Sequence, residues 1–139
     1  MAESFADRVK QLQLPLDKSI VIGSGLLDQL GIRSADDIDV VVTPEVFSDL
    51  AENPAWHYDT KDNGRERYVR EDIGGAEVWT HWNLGDRRLE YANLAEQSVV
   101  YDDVRFVSLA LLRQWKEWAG REKDARDVAL IDQYSEENK

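Results

Sequence analysis

Residues 19–42 read SIVIGSGLLDQLGIRSADDIDVVV, and this stretch decides the fold. The run from Ser19 to Ile22 is apolar and β-branched, which predicts a buried strand, and it breaks at Gly23-Ser24-Gly25. Leucines then recur at helical spacing until Gly31, a typical helix stop. A second β-branched run, from Asp37 to Val42, predicts the next strand. The stretch therefore predicts a strand, a tight turn, a helix and a second strand.

The flanking sequence predicts further helices and strands around this core. Ser4 is a candidate cap for a short N-terminal helix, Thr43-Pro44 begins a helix that ends near Leu50, and Ser108 begins a helix that Gly120 stops. The remaining predicted elements are strands over 56–60, 65–71, 76–82 and 104–107, hairpin turns at Asp62-Asn63-Gly64 and Gly74-Gly75, and helices over 91–97 and 122–134. We expect an α/β (α+β) fold, a mixed β-sheet flanked by helices with further helices at the C-terminus, in a single domain over residues 1–139.

Composition limits the classes of function. The net charge is −11, so the average surface repels a polyanion, and extended nucleic-acid binding is not expected. The chain has no cysteine, so disulfides and thiolate metal sites are excluded. No run is long and apolar enough for a membrane span, and residues 1–11 lack a signal-peptide pattern, so we expect a cytoplasmic protein without a membrane partner.

Asp37 and Asp39 are the first candidates for chemistry. Two residues apart on a strand, they are expected to project from the same face, where their like charges repel each other. Mg²⁺, or Mn²⁺ in its place, would relieve that repulsion, because Mg²⁺ binds through one or two carboxylates together with substrate phosphates. The alternative is that the two acids are simply exposed at the start of the strand.

Gly23 and Ser24 are candidates for phosphate binding. They follow a strand and precede a helix whose N-terminal amides favour anions, and glycine lets the backbone approach a triphosphate closely. The Ser24 hydroxyl can donate to a phosphate oxygen. An ordinary tight turn would explain the same three residues without any ligand.

The combination resembles the glycine-serine, then aspartate-x-aspartate signature of the polymerase-β-like nucleotidyltransferase superfamily. Residues 23–42 look like the core of small bacterial nucleotidyltransferases, including those of the abortive-infection toxin type. Residues 111–128 resemble the helix and Arg-x-Lys-Asp-x-x-Asp segment of the same proteins. The resemblance implies the nucleotidyltransferase fold, with Asp37 and Asp39 as catalytic metal ligands and Arg33 inside the matched core.

The same resemblance implies a third metal-binding carboxylate on a later strand. Glu77 is the best-placed candidate, as a metal ligand or as a base, and Glu71 and Asp72 are its rivals next to a turn. Cations that could bind a triphosphate are Lys116, Lys123 and Arg121. Lys123 could instead form a surface ion pair with Asp127, four residues further on, as Arg113 could with Glu117. Trp115 and Trp118 are expected in the core.

The expected function is transfer of a nucleoside monophosphate from a nucleoside triphosphate to a hydroxyl acceptor, which is a small molecule, a protein or RNA. The alternative is a catalytically silent module of the same fold that binds a nucleotide or a partner protein, for example within a toxin–antitoxin pair. The chain is short, so a homodimer or a partner protein is a further expectation.

Overall fold

The computed structural model describes residues 3–61 and 63–139. Within them the helices are α1 (Phe5–Lys10), α2 (Gly25–Gln29), α3 (Pro44–Asp49), α4 (Tyr91–Ala95), α5 (Leu109–Ala119) and α6 (Glu122–Glu137). The strands are β1 (Ser19–Ile22), β2 (Asp39–Val42), β3 (His57–Thr60), β4 (Glu66–Arg70), β5 (Ala76–Trp79), β6 (His81–Leu84), β7 (Arg87–Glu90), β8 (Ser98–Tyr101) and β9 (Val104–Val107). No helix in these ranges is of the length and apolarity that crossing a membrane requires.

The strands form a seven-stranded mixed sheet and a separate hairpin. The order in the sheet is β3-β4-β5-β2-β1-β9-β8, and β6 pairs with β7 outside it. β1 runs parallel to β9 and β2 parallel to β5, whereas the other pairs are antiparallel. The predicted mixed α/β class, with helices at the C-terminus, is confirmed.

One face of the sheet is covered by the N-terminal helices. Phe5 of α1 lies 6.2 Å from Phe106 of β9 between ring centroids, and Phe47 of α3 meets Tyr68 of β4 at 4.8 Å. All four residues of β1 are buried, as are the last three of β2. The apolar runs that predict these strands therefore form the centre of the core.

The predicted helix ends agree with the structure. The side chains of Ser4, Thr43 and Ser108 each accept a hydrogen bond from the backbone of their helix's first turn. Gly120 takes the left-handed conformation just after α5. The capping residues alone were enough to locate the starts of α1, α3 and α5.

Several predicted boundaries are wrong. The second strand begins at Asp39 and not at Asp37, the run 76–82 is two strands that separate at Thr80, and α6 continues to Glu137. Strands β7 and β8 were not predicted. The predicted turn after β3 closes with a hydrogen bond from the Gly64 amide to the Lys61 carbonyl at 2.8 Å, although Asp62 lies outside the described residues.

Candidate functional site

A cleft of about 460 Å³ opens where β1 ends and β2 begins. Its lining joins the turn after β1, the residues before β2, the hairpin β6–β7 and the two C-terminal helices. Eight of the metal-binding and phosphate-binding candidates line it: Gly23, Ser24, Arg33, Asp37, Asp39, Lys116, Arg121 and Lys123. Glu77 is not part of the lining. A volume of this size is within the range of small-ligand pockets.

Asp39 lies at the carboxylate side of the cleft, as the first residue of β2. Glu77 is its register partner on β5, so the two side chains share one face of the sheet. Burial above all, together with the neighbouring charges of Glu77 and Asp37, raises the pKa of Asp39 to about 6, against the lowering effect of a hydrogen bond from the Trp79 indole at 3.5 Å. Negative charge is therefore concentrated around one carboxylate.

Asp37 lies just before β2 and lines the same cleft as Asp39. It is exposed, whereas Ile38 between the two acids is fully buried. The Ile38 carbonyl accepts a hydrogen bond from the Glu77 amide at 2.8 Å, so pairing with β5 continues one residue before the strand. The two acids therefore reach the cleft together while Ile38 faces the core, as predicted.

Glu77 is held away from the cleft by an arginine. Its Oε1 lies 2.9 Å from Nη1 of Arg67, which also bridges to Asp59 at 2.6 Å. Within residues 3–61 and 63–139, no group of three or more Asp, Glu or His side chains is arranged to hold a metal ion. The third-ligand role of Glu77 therefore stays a prediction.

The two acids that do line the cleft fit a divalent cation. Repulsion from Glu77 and Asp37 contributes to the raised pKa of Asp39, and a bound cation would remove that cost. Mg²⁺ needs only one or two protein carboxylates when substrate phosphates supply further oxygens. Asp37 and Asp39 are the residues that would hold it.

A buried ion-pair cluster lies beside the glycine-serine turn. Lys116 is 3% exposed, and its Nζ lies 2.8 Å from Asp127 Oδ2 and 3.7 Å from Asp124 Oδ1. Arg33 donates to both oxygens of Asp127, at 2.6 and 2.7 Å. Burial alone would raise the pKa of Asp127, but hydrogen bonds from Arg33 and Lys116 hold it below its usual range.

The same cluster fixes the glycine-serine turn. The Ser24 hydroxyl accepts hydrogen bonds from Arg33 Nη2 at 3.0 Å and from Lys116 Nζ at 3.1 Å. Ion pairs on α6 thus position a residue that follows β1, about 100 positions earlier in the chain. The predicted pairing of Lys123 with Asp127 is wrong, because Asp127 bonds Arg33 and Lys116 instead.

Gly23 is favoured by its backbone conformation. Its φ is +70°, in the left-handed region, and a Cβ added there would make only an ordinary contact with Asp39 Oδ2 at 3.5 Å. The turn therefore brings the backbone close to the carboxylate side of the cleft. Helix α2, which follows, has only five residues, so its dipole contributes less to anion binding than the sequence suggested.

Aromatic side chains also line the cleft. Trp115 stacks on Trp82 with centroids 5.0 Å apart and an interplanar angle of 20°. Its indole donates to the Asn83 carbonyl at 2.8 Å. Trp115 is half-buried and borders the cleft, while Trp118 is 53% exposed, so the core position predicted for Trp118 is wrong.

Sequence reasoning missed Arg65, which also lines the cleft. Its guanidinium lies over the Trp79 ring, 4.2 Å from Cζ to the centroid, and donates to the His81 carbonyl. The residue precedes β4 directly after a turn, where an arginine carries no recognisable signal in the sequence.

The chain was compared with protein-family models, with curated proteins and with solved structures. None of the three comparisons gives a match.

Proposed function

We propose that the chain is a Mg²⁺-dependent nucleotidyltransferase with the nucleotidyltransferase fold, whose donor substrate is a nucleoside triphosphate. The observation that carries the proposal is one cleft lined by two acids, Asp37 and Asp39, and by the exposed cation Lys123, next to the Ser24 turn that Arg33 and Lys116 hold. A triphosphate with a bound cation needs both kinds of group within a few ångströms.

The groups at the cleft have separate tasks in this proposal. Lys123 is exposed at the cleft, so Lys123 and the Ser24 hydroxyl give the β- and γ-phosphates their donors. Lys116 is buried against Asp127 and holds Ser24 in position. Trp115 offers the base an aromatic surface. Asp37 and Asp39 would hold the cation.

The reaction exchanges one phosphorus–oxygen bond for another. The acceptor oxygen bonds to the α-phosphorus, the bond from that phosphorus to the bridging oxygen breaks, and pyrophosphate leaves with the electron pair. The acceptor's proton passes to water. A bound Mg²⁺ would supply charge neutralisation at the reacting phosphate.

Nucleotide binding without turnover is the second candidate, and the position of Glu77 favours it. Arg67 neutralises this carboxylate outside the cleft, so the acidic side presents two acids to a ligand and not three. A site of this kind can hold a nucleotide and a cation while it lacks a group to activate the acceptor.

Calorimetry with each of the four nucleoside triphosphates, with and without Mg²⁺ or Mn²⁺, tests both candidates. Asp39→Asn should lose the metal-dependent part of the affinity, whereas Asp49→Asn, on the exposed end of α3, should bind as the unmodified chain does. Metal-dependent binding that is equal in both variants would rule out this site.

Transfer of an α-labelled triphosphate onto protein, RNA or small hydroxyl acceptors then separates the enzyme from the binding module. Label that appears on an acceptor with the unmodified chain, and not with Asp39→Asn, identifies a transferase. Binding without any labelled product identifies the second candidate.

A further inference from the structure

The cleft contains an arginine that the ion-pair cluster does not use. Arg33, Lys116 and Arg121 are each neutralised by Asp124 or Asp127. Arg65 makes no ion pair with any residue in the described parts of the chain. Its Nε is buried and finds no hydrogen-bond partner there either.

An arginine in this state is costly in this protein. The chain has 28 acidic and 17 basic residues, so carboxylates are in excess. Arg65 instead contacts an aromatic ring and one backbone carbonyl. Burial lowers the pKa of Arg65, and the positive charge of Arg88 lowers it further, while the negative charge of Asp39 raises it. A bound anion would offset the free-energy cost of burying this unpaired charge.

Arg88 adds a second positive charge on the same side. It pairs in register with Asn83 on the β6–β7 hairpin, so its side chain shares a face with Asn83 and His81. Burial lowers the pKa of His81, and the positive charges of Arg65 and Arg88 lower it further, while Glu90, the register partner of His81, raises it. Arg65 lines the cleft, and Arg88 is exposed on the hairpin.

The strand order decides which reactant this group faces. β4, β5, β2 and β1 are consecutive neighbours in the sheet, with Arg65 just before β4, Asp39 on β2 and Ser24 after β1. Because β4 runs antiparallel to β5, the backbone of Arg65 lies level with His81, at the other end of the strands from Asp39, and its side chain reaches the cleft over the Trp79 ring. Across the sheet, Asp39 therefore lies between Arg65 on one side and Ser24 on the other. A triphosphate bound at Ser24 places its α-phosphate at Asp39, and the reactant on the far side of that phosphate is the acceptor.

We propose that Arg65, supported by Arg88, is an anion subsite for the acceptor, and that the acceptor carries a phosphate or a carboxylate close to its reacting hydroxyl. The planar guanidinium suits both groups, because it can donate two parallel hydrogen bonds to either. The acceptor assignment rests on the proposed nucleotidyl transfer, whereas the anion subsite itself does not.

The test uses Arg65→Met, which keeps an unbranched side chain over Trp79 but removes the charge. Arg87→Gln is the matched control, since Arg87 neighbours Arg88 on the hairpin but points to its other face. Arg65→Lys keeps the charge without the planar fork, and serves as a second variant if the methionine variant folds poorly.

The measurement is the NMR shift of the Trp79 indole N–H during titration at constant ionic strength, assigned with Trp79→Phe. Inorganic phosphate and acetate are the two probes, and they distinguish a phosphate-bearing from a carboxylate-bearing acceptor. We expect a saturable shift with one of the two probes in the unmodified chain and in Arg87→Gln. In Arg65→Met, the affinity for that probe should fall at least about tenfold. Equal affinities in the unmodified chain and Arg65→Met would overturn the subsite.

Triphosphate binding, measured in parallel, separates this inference from the proposed function. We expect Arg65→Met to bind the metal–triphosphate within about twofold of the unmodified chain, because Lys123 and Ser24 would bind the triphosphate. Lost triphosphate binding in Arg65→Met would place Arg65 on the donor side and overturn the assignment. If the unmodified chain binds phosphate through Arg65 but no triphosphate, the acceptor assignment fails together with the proposed function.

Discussion

Replacing Asp39 by Asn should make the protein more stable and remove one ligand of the proposed cation. The pKa of Asp39 is raised from 3.8 to about 6, mainly by burial. The ionised side chain therefore destabilises the folded state. One pKa unit corresponds to about 1.4 kcal/mol, so the penalty at neutral pH is about 3 kcal/mol. Asparagine keeps an oxygen for the Trp79 indole and carries no charge.

The sign of the pH dependence follows from the two pKa values. Below 3.8 the carboxyl group is protonated in both the folded and the unfolded chain, so the variant gains nothing there. Between 3.8 and about 6 only the unfolded chain ionises, and the stability of the unmodified protein falls relative to the variant. Above that range the difference stays constant.

The assay is urea unfolding followed by tryptophan fluorescence, in EDTA, over a series of pH values. The difference in unfolding free energy between Asp39→Asn and the unmodified chain isolates this one group from the other acids. Added Mg²⁺ should stabilise the unmodified chain and leave the variant unchanged. A gain that persists at the acidic end, or no gain above neutral pH, would refute the burial argument.

Three further substitutions test the packing around the cleft, each by urea unfolding. Lys116→Met should lower the free energy of unfolding by about 3–5 kcal/mol, because it leaves buried Asp127 with less compensating charge. Adding Asp127→Asn should recover part of that loss. A loss below about 1 kcal/mol would contradict a stabilising role for the ion-pair cluster. Gly25→Ala should cost about 1–3 kcal/mol, since the new methyl group would lie 2.4 Å from the Phe5 ring, and an unchanged stability would show that the ring moves freely. Ser24→Ala should cost about 1 kcal/mol by removing an acceptor for Lys116 and should also weaken triphosphate binding; a variant that matches the unmodified chain in both would mean that Ser24 is an ordinary turn residue.

Local patterns were sufficient for the centre of the fold. Strand β1 and the caps at Ser4, Thr43 and Ser108 depend on short-range chemistry that each segment carries by itself. The break at Thr80 was missed because residues 76–82 contain no glycine or proline and read as one strand. Only the pairing of β6 with β7, a contact outside the sheet, ends the first strand there.

The site was predictable where its residues are close together in sequence. Gly23, Ser24, Asp37 and Asp39 line one cleft and lie within one short stretch. The partners of Asp127 were not predictable, because Arg33 is 94 positions away and competes with the nearer Lys123. The homodimer or partner protein expected from the chain's shortness stays a prediction.

The parallel pairing of β1 with β9 also bears on when the cleft can form during synthesis. β1 emerges first but needs β9 as its neighbour, and the Ser24 turn needs Lys116 and the acids of α6. A nascent chain in which α6 has not yet been synthesised therefore lacks the ion-pair cluster around Lys116 and the hydrogen bonds that hold the Ser24 turn. If the proposed function holds, nucleotide binding should therefore begin only once α6 has left the ribosome.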